Sequence, residues 1–265
     1  MASFDLSAPV YDLTFSETLT GQAMRQSVWT LLERHVLTTT EKKLILELNG
    51  GTGIDAQWLA AKKNYCVICT DASAAMLEIA RHRNSNVATL VETHLWDLSI
   101  RNLSFLGNRK PDLVFSNFGG LNCLGPDQLN NLSKALAANI APNALLVAVV
   151  MPRYCWMETL YFLLKGRWAE AFRRRKTGPL PVPVHCSLVP TWYYSPPQFY
   201  SYFRSDFAQV ATYPVGIGLP PSYLDPFFMK HPSIFALARK VEASLGSISF
   251  LSAIADHFFI ILRKK

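Results

Sequence analysis

Leu44-Ile45-Leu46-Glu47-Leu48 is an aliphatic run that ends around an acid and passes directly into Asn49-Gly50-Gly51-Thr52-Gly53. A strand buried on both faces reads as continuous aliphatics, and glycines just after it permit a tight turn into a helix with close backbone approach to a ligand. Comparable runs return at 64–70, 87–92, 112–116 and 144–151. Residues 54–62, and then Gly125-Pro126-Asp127 to about 140, read as helices between them. Ahead of the first strand, Leu19, Met24, Val28, Leu31, Leu32 and Val36 lie near helical spacing and predict an amphipathic helix over 17–37. Two further strands are expected at 207–215 and 257–262. Regular β/α alternation of this kind builds a mostly parallel sheet with helices on both faces.

At 265 residues the chain can bury a full core, and one elaborated domain is expected. No stretch reaches the roughly 18 uncharged apolar residues that span a bilayer. The start, Met1-Ala2-Ser3-Phe4-Asp5, lacks a basic region followed by an apolar core, so a cytoplasmic protein without a leader is expected. Cys66-Val67-Ile68-Cys69 falls inside a predicted strand and not at a strand-to-helix turn, which predicts buried thiols in a reducing compartment. Much of the net charge of +7 sits in Arg173-Arg174-Arg175-Lys176 and Arg263-Lys264-Lys265. Short basic runs are usually solvated faces, so neither a nucleic-acid partner nor a metal is expected.

The glycine turn allows two cofactors. Gly51-Thr52-Gly53-Ile54-Asp55-Ala56 satisfies the dinucleotide pattern G-x-G-x-x-G/A, with Asp71 near the expected offset. Glu47 and Asp55 would both repel a pyrophosphate there, whereas S-adenosylmethionine carries an ammonium and a sulfonium and no phosphate. Glu47-Leu48-Asn49-Gly50-Gly51-Thr52-Gly53 resembles the E/D-x-G-x-G-x-G motif of class I S-adenosylmethionine-dependent methyltransferases. Asn49 replaces the first glycine, which its access to left-handed conformations allows.

Other stretches carry the same resemblance. Phe4-Asp5-Leu6-Ser7-Ala8-Pro9-Val10-Tyr11-Asp12-Leu13-Thr14-Phe15 is similar to the F-D-x-x-A-x-x-Y-D-x-x-F segment that, in relatives, folds over the cofactor with its tyrosine near the methionine end; a ring face there suits a sulfonium. Asp71-Ala72-Ser73-Ala74-Ala75-Met76-Leu77 resembles D-x-S-x-x-M-L. An acid at that strand tip can take both ribose hydroxyls, with Ser73 capping the next helix and Met76 against the adenosine. Where relatives have G-D-A-x-D-L, this chain has Thr93-His94-Leu95-Trp96-Asp97-Leu98, so either His94 or Asp97 takes the adenine amino group and Leu95 offers its backbone. Asn117-Phe118-Gly119-Gly120 lacks the N/D-P-P-Y/F of many amino-group methyltransferases, and its paired glycines are read as room for a bulky acceptor. The resemblance covers about residues 4–151. It implies a cofactor set of Tyr11, Glu47, Asn49, Gly51, Gly53, Asp71, Ala72, Met76, His94, Leu95 and Asn117.

It also implies a doubly wound, seven-stranded, mostly parallel α/β sheet with an antiparallel last strand, and hence a division into a helical cap (1–38), a cofactor core (39–151) and lid insertions with the last two strands (152–265). Both insertions, 152–206 and 219–255, then stand at the cofactor face as an aromatic lid that excludes water and orients the acceptor. A small lipophilic or aromatic acceptor is expected, methylated on oxygen first and on nitrogen or carbon as alternatives, with Tyr11, Phe118, Trp156 and Tyr194 lining its place. His185 and His257 are the candidate bases, and Asp256 orients His257 if the fold turns it inward. A nicotinamide-dependent oxidoreductase and a non-catalytic cofactor-binding interaction protein remain the alternatives of other classes.

Overall fold

The computed structural model describes residues 4–185 and 187–265; residues 1–3, on which the expectation of no leader rests, and Cys186 lie outside them. A short helix α1 (Ala8–Tyr11) widens into a π turn (Asp12–Ser16) and is followed by α2 (Leu19–His35), capped by Thr18, whose hydroxyl accepts the Gly21 N–H at 3.0 Å. Then come β1 (Leu44–Leu48), α3 (Ile54–Lys63), β2 (Cys66–Asp71), α4 (Ala74–Arg83), β3 (Val91–Leu95), β4 (Leu113–Ser116), α5 (Pro126–Asn139) and β5 (Leu145–Val150). The first long excursion holds α6 (Trp156–Leu164), α7 (Trp168–Ala171), a hairpin of β6 (Leu180–Val184) and β7 (Ser187–Thr191), and α8 (Pro196–Ser201). After β8 (Phe207–Val215), the second carries α9 (Asp225–Lys230) and α10 (Pro232–Leu245) and ends in β9 (His257–Lys264).

Seven strands form one sheet in the order β3-β2-β1-β4-β5-β9-β8, with β1 to β5 parallel and β9 antiparallel to both its neighbours. Successive side chains point to opposite faces. Ile45, Val67, Phe115, Val147 and Ile261 therefore pack under α2 and α3, while Leu46, Leu48, Val114, Leu146 and Ile260 pack under α5 and α8. This is the doubly wound, Rossmann-like sheet that the alternation of runs predicts, with β9 entering from the edge where β1 to β5 end.

Four expectations change. β3 begins at Val91 because 84–90 closes into turns, Val87 N–H on Asn84 at 3.0 Å and Leu90 N–H on Val87 at 2.8 Å. The β6–β7 hairpin is hidden by Pro181, Pro183 and Pro190, which strands tolerate at free edges, and a two-stranded ribbon has two of them. Cys66 and Cys69, three apart on β2, face opposite ways, so only Cys69 is buried and Cys66 is exposed. Tyr194 and Phe199, expected in a lid, sit instead in the core beneath α5.

Candidate active site

Three residues after β1 take left-handed backbone: Asn49 (φ 51°), Gly51 (φ 56°) and Gly53 (φ 75°). A Cβ on Gly51 would meet nothing within 4 Å, so the turn is open on that side, whereas one on Gly53 would strike Ala80 and Asn84 of the adjoining helix. Asp71, at the tip of β2, fixes the turn by accepting the Gly51 N–H (3.0 Å) on one oxygen and the Ser73 N–H (2.8 Å) on the other. Burial raises its carboxyl above the usual range and these N–H groups pull against the rise. Ser73 caps α4 by accepting the Met76 N–H at 3.2 Å, and Met76 is buried below it. Ala72 and Leu95, neighbours across β2 and β3, stay exposed at the strand tips.

The N-terminal segment closes over this turn through its acids. Asp12 accepts the Thr52 hydroxyl at 2.8 Å and pairs with Arg83; Asp5 accepts the Ser73 hydroxyl at 2.6 Å. Between them Tyr11 packs on Phe4 and Phe15, with ring centroids at 6.3 and 5.1 Å. Burial lifts its phenol to about 12, in the field of Arg25, Asp71 and Cys123, so it stays protonated and can donate.

Beneath the turn, Glu47 is 1% exposed and burial pushes its carboxyl up to about 8, with Asp55 adding to the rise. The Cys69 thiol beside it works against the rise; among the described residues no group hydrogen-bonds Glu47 Oε2, Asn49 Oδ1 or Arg25 Nε in good geometry, and all three are buried. Asp55 is saturated: Arg25 pairs with it, and Trp29 Nε1 (2.7 Å) and Asn117 Nδ2 (2.8 Å) donate to it.

Past β4 the chain folds tightly. Phe118 (φ 42°) and Gly119 (φ 72°) are left-handed, and Cβ atoms on Gly119 and Gly120 would run into Met151 and Asn49. The paired glycines thus let two loops touch, and the room for a bulky acceptor that was expected of them is filled by Met151 and Asn49. Asn122, fully buried, locks the loop: its amide donates to Met151 O (3.1 Å) and Trp192 O (2.5 Å), and its Oδ1 accepts Met151 N–H at 2.8 Å. The Phe118 ring lies under Arg25, 4.9 Å from ring centroid to guanidinium, and edge-on to His257 at 5.7 Å.

His257 opens β9 and is buried, with Nδ1 3.0 Å from Asp256 Oδ2 but off the line that a full hydrogen bond needs. Among the described residues none hydrogen-bonds its Nε2. The other Asp256 oxygen accepts from Arg174 at 2.7 Å, and Arg174 also pairs with buried Glu158. Burial alone would raise the Asp256 carboxyl; Arg174 and then His257 outweigh it and hold it well below the carboxylate range.

Residues 45–143, the stretch that carries the turn and the strand tips, match the family of methyltransferase domains. That stretch is a methyltransferase domain, and the sheet around it has the order of the class I S-adenosylmethionine-dependent fold. No curated protein matches it in sequence. Solved structures share its fold at low identity. A protein of Pyrococcus horikoshii OT3 does so with a TM-score of 0.62 and 14% identity, over 99% of this chain and 100% of that one. A TehB-like S-adenosylmethionine-dependent methyltransferase of Corynebacterium glutamicum does so at 0.51 and 11%, over 92% and 88%. The (4+2)-cyclase SpnF reaches 0.57 and 14%, over 91% and 80%. Because a cyclase shares it, the fold alone does not fix the reaction, and the assignment rests on the family.

S-adenosylmethionine is the cofactor of this methyltransferase family, and the turn suits it. Glu47 Oε2, Asn49 Oδ1 and Arg25 Nε are buried without a hydrogen bond from the described residues, and such groups are costly unless a ligand completes them; an ammonium would suit the two oxygens and a carboxylate the guanidinium. The charge argument drawn from sequence needs correcting, since Glu47 is protonated near neutrality and Asp55 is neutralised by Arg25. What stands against a pyrophosphate is space, since the chain's own Asp12, paired with Arg83, is already bonded to Thr52 just before α3.

Of the residues expected on sequence grounds, Asn49, Gly51 and Gly53 form the turn after β1, Glu47 lies beneath it, Asp71 and Ala72 stand beside it and Tyr11 packs in the segment over it, while Phe118 and His257 lie side by side. It uses others differently. Asn117 spends its amide on Asp55 and on the Phe118 N–H. His94 pairs with Glu92 and stacks on Phe105, and Asp97 accepts the Ser99 N–H at 2.8 Å on one oxygen, while Leu95 and Ala72 stand exposed at the strand tips. Trp156 donates its indole N–H to Ile217 O at 2.8 Å as a brace for α6. Tyr194, 1% exposed, donates to Leu124 O and is core, neither acceptor wall nor base. His185 sits exposed in the hairpin turn at φ 49°, where nothing orients its ring. Sequence reasoning missed Arg25, Arg174 and Cys123; only distant side chains in the folded chain give them their places.

Proposed function

We propose that this methyltransferase acts on an oxygen of a small lipophilic or aromatic metabolite, with His257 as the base. The observation that supports the reading is the buried His257–Asp256 pair set against Phe118, at the sheet edge where ligands of doubly wound folds bind. Bound S-adenosylmethionine supplies an electrophilic methyl group whose sulfur leaves as a neutral thioether. Displacement of this kind asks the protein chiefly for alignment; a base is needed only when the nucleophile must lose a proton, as a hydroxyl must. Asp256, ionised beside Arg174, keeps the Nδ1 proton of His257 toward itself, which leaves Nε2 free to take the proton from the acceptor. Phe118 and Tyr11 form the apolar walls. The lid role falls to α6 and the turn it braces, which close the space around His257.

Metabolite extracts incubated with isotope-labelled methyl donor identify the acceptor by a mass gain of one methylene equivalent. With that acceptor, His257→Asn should lower kcat by about 10²- to 10⁴-fold, the span of general-base catalysis, and leave S-adenosylhomocysteine affinity within about twofold. Undiminished turnover would remove the base and favour a nitrogen or carbon acceptor that already holds a free electron pair.

A further inference from the structure

Four large apolar residues on α6, on α7 and just beyond it recur at intervals of four and face outward: Leu160 (45% exposed), Leu164 (79%), Trp168 (66%) and Phe172 (36%). The inner side of α6 is already used. Thr159 and Phe162 are buried, Trp156 is tied to Ile217, and Glu158 is tied to Arg173 and Arg174. The outward stripe, Leu164 and Trp168 above all, is left largely to solvent. Scattered exposed apolar residues are ordinary, but a contiguous patch marks an interaction surface.

The charges around the stripe say what it meets. Between positions 156 and 176 there are six basic residues and two acids. Both acids are spent within the protein, Glu158 on Arg173 and Arg174, and Glu170 on Arg167. What is left exposed is cationic, namely Lys165, Arg175 and Lys176. Lys165 lies over the Tyr161 ring and Arg175 over the Phe172 ring, at 5.9 and 5.4 Å, so the charges flank the stripe. An apolar helical face with tryptophan at its edge and lysine and arginine beside it suits an anionic lipid surface, where rings and leucines enter the interface and the cations meet the headgroups. No helix among the described residues is long and apolar enough to cross a membrane, so the contact is one of lying on the surface.

We propose that the outer face of α6 and α7 seats this methyltransferase on an anionic lipid bilayer. The proposal stands apart from the choice of acceptor and base. It is tested by sedimenting the full chain with sucrose-loaded vesicles, either phosphatidylcholine alone or phosphatidylcholine with about a third phosphatidylserine. At low salt the chain should bind the anionic vesicles at least about tenfold more tightly than the neutral ones. The double variant Leu164→Asp, Trp168→Asp should lose that binding while keeping S-adenosylhomocysteine affinity. If that variant misfolds, Lys165→Glu with Lys176→Glu, which disturbs no packing, should abolish the preference for phosphatidylserine. Absence of sedimentation, equal binding to both vesicles, or substituted chains that bind as the wild type does would overturn the proposal. So would a wild-type dimer in vesicle-free solution that Leu164→Asp, Trp168→Asp turns into a monomer, since the face would then meet a second copy.

Discussion

At the tip of β2, the bonds that fix the glycine turn run to backbone groups of neighbouring elements. Asp71 takes the N–H groups of Gly51 and Ser73, and the left-handed residues lie within five positions of one another. At His257 they run between side chains far apart in the chain, Arg174 joining Asp256 across 82 residues and Glu158 across 16. Backbone donors sit where the fold puts them whatever the side chains are. A relay of buried charges exists only while every member is present. The donor side is therefore expected to tolerate change in steps, and the acceptor side to fail as a unit.

Arg174→Gln presses hardest on that difference. It leaves two carboxylates, Glu158 and Asp256, without their buried cation, and breaking such a pair costs about 3–5 kcal/mol. The melting temperature should drop by several degrees, with turnover lost beyond what the unfolded fraction explains; a variant as stable as the parent would show that the relay is ornamental. Glu47 supplies a second test on the donor side. Its ordinary value of 4.5 rises to about 8 in the folded chain. Between those values the folded form keeps a proton that the unfolded form has lost. Stability of the ligand-free protein should therefore fall as pH rises through that window and level off on either side of it. Denaturant titrations of Glu47→Gln across the same range should show a flatter profile, and an unchanged slope would mean that the carboxyl ionises freely. Gly51→Val comes next. The side chain would be forced into a left-handed backbone and would project into the opening, so S-adenosylhomocysteine affinity should fall by on the order of 100-fold with the fold retained. Wild-type affinity in calorimetry would take the turn out of the site.

The same contrast explains what the sequence disclosed. Strand β1, its glycines, Asp71 and Ser73 act within short spans, so the aliphatic run, the turn residues and the cap were each visible where they stand. The sheet order and the antiparallel β9 likewise follow from alternation and the family's likeness. Asp256 and His257 were visible as a pair, but Arg174, which fixes the charge state of Asp256, looked like one of a solvated basic run. Tyr194 misled because an aromatic's type does not tell core from pocket; only the packing of α8 beneath α5 decides it. Gly119 and Gly120 misled for a related reason. A missing side chain gives either space or contact, and here Asn49 and Met151 fill it.

The mildest test concerns the cover over the donor's turn, where one hydroxyl joins the N-terminal segment to the glycine loop. Thr52→Val keeps the shape of a residue that is 3% exposed and removes the bond to Asp12, which retains Arg83. A single hydrogen bond to a charged group that keeps another partner contributes about 1.5 kcal/mol, so cofactor affinity should weaken by roughly tenfold. Segment 4–16 should also become easier to cut by protease in the absence of ligand, and S-adenosylhomocysteine should restore its protection in the parent more fully than in the variant. Equal cleavage and equal affinity would mean that the segment merely rests on the turn, and that the donor side is closed by Asp5 and Tyr11 alone.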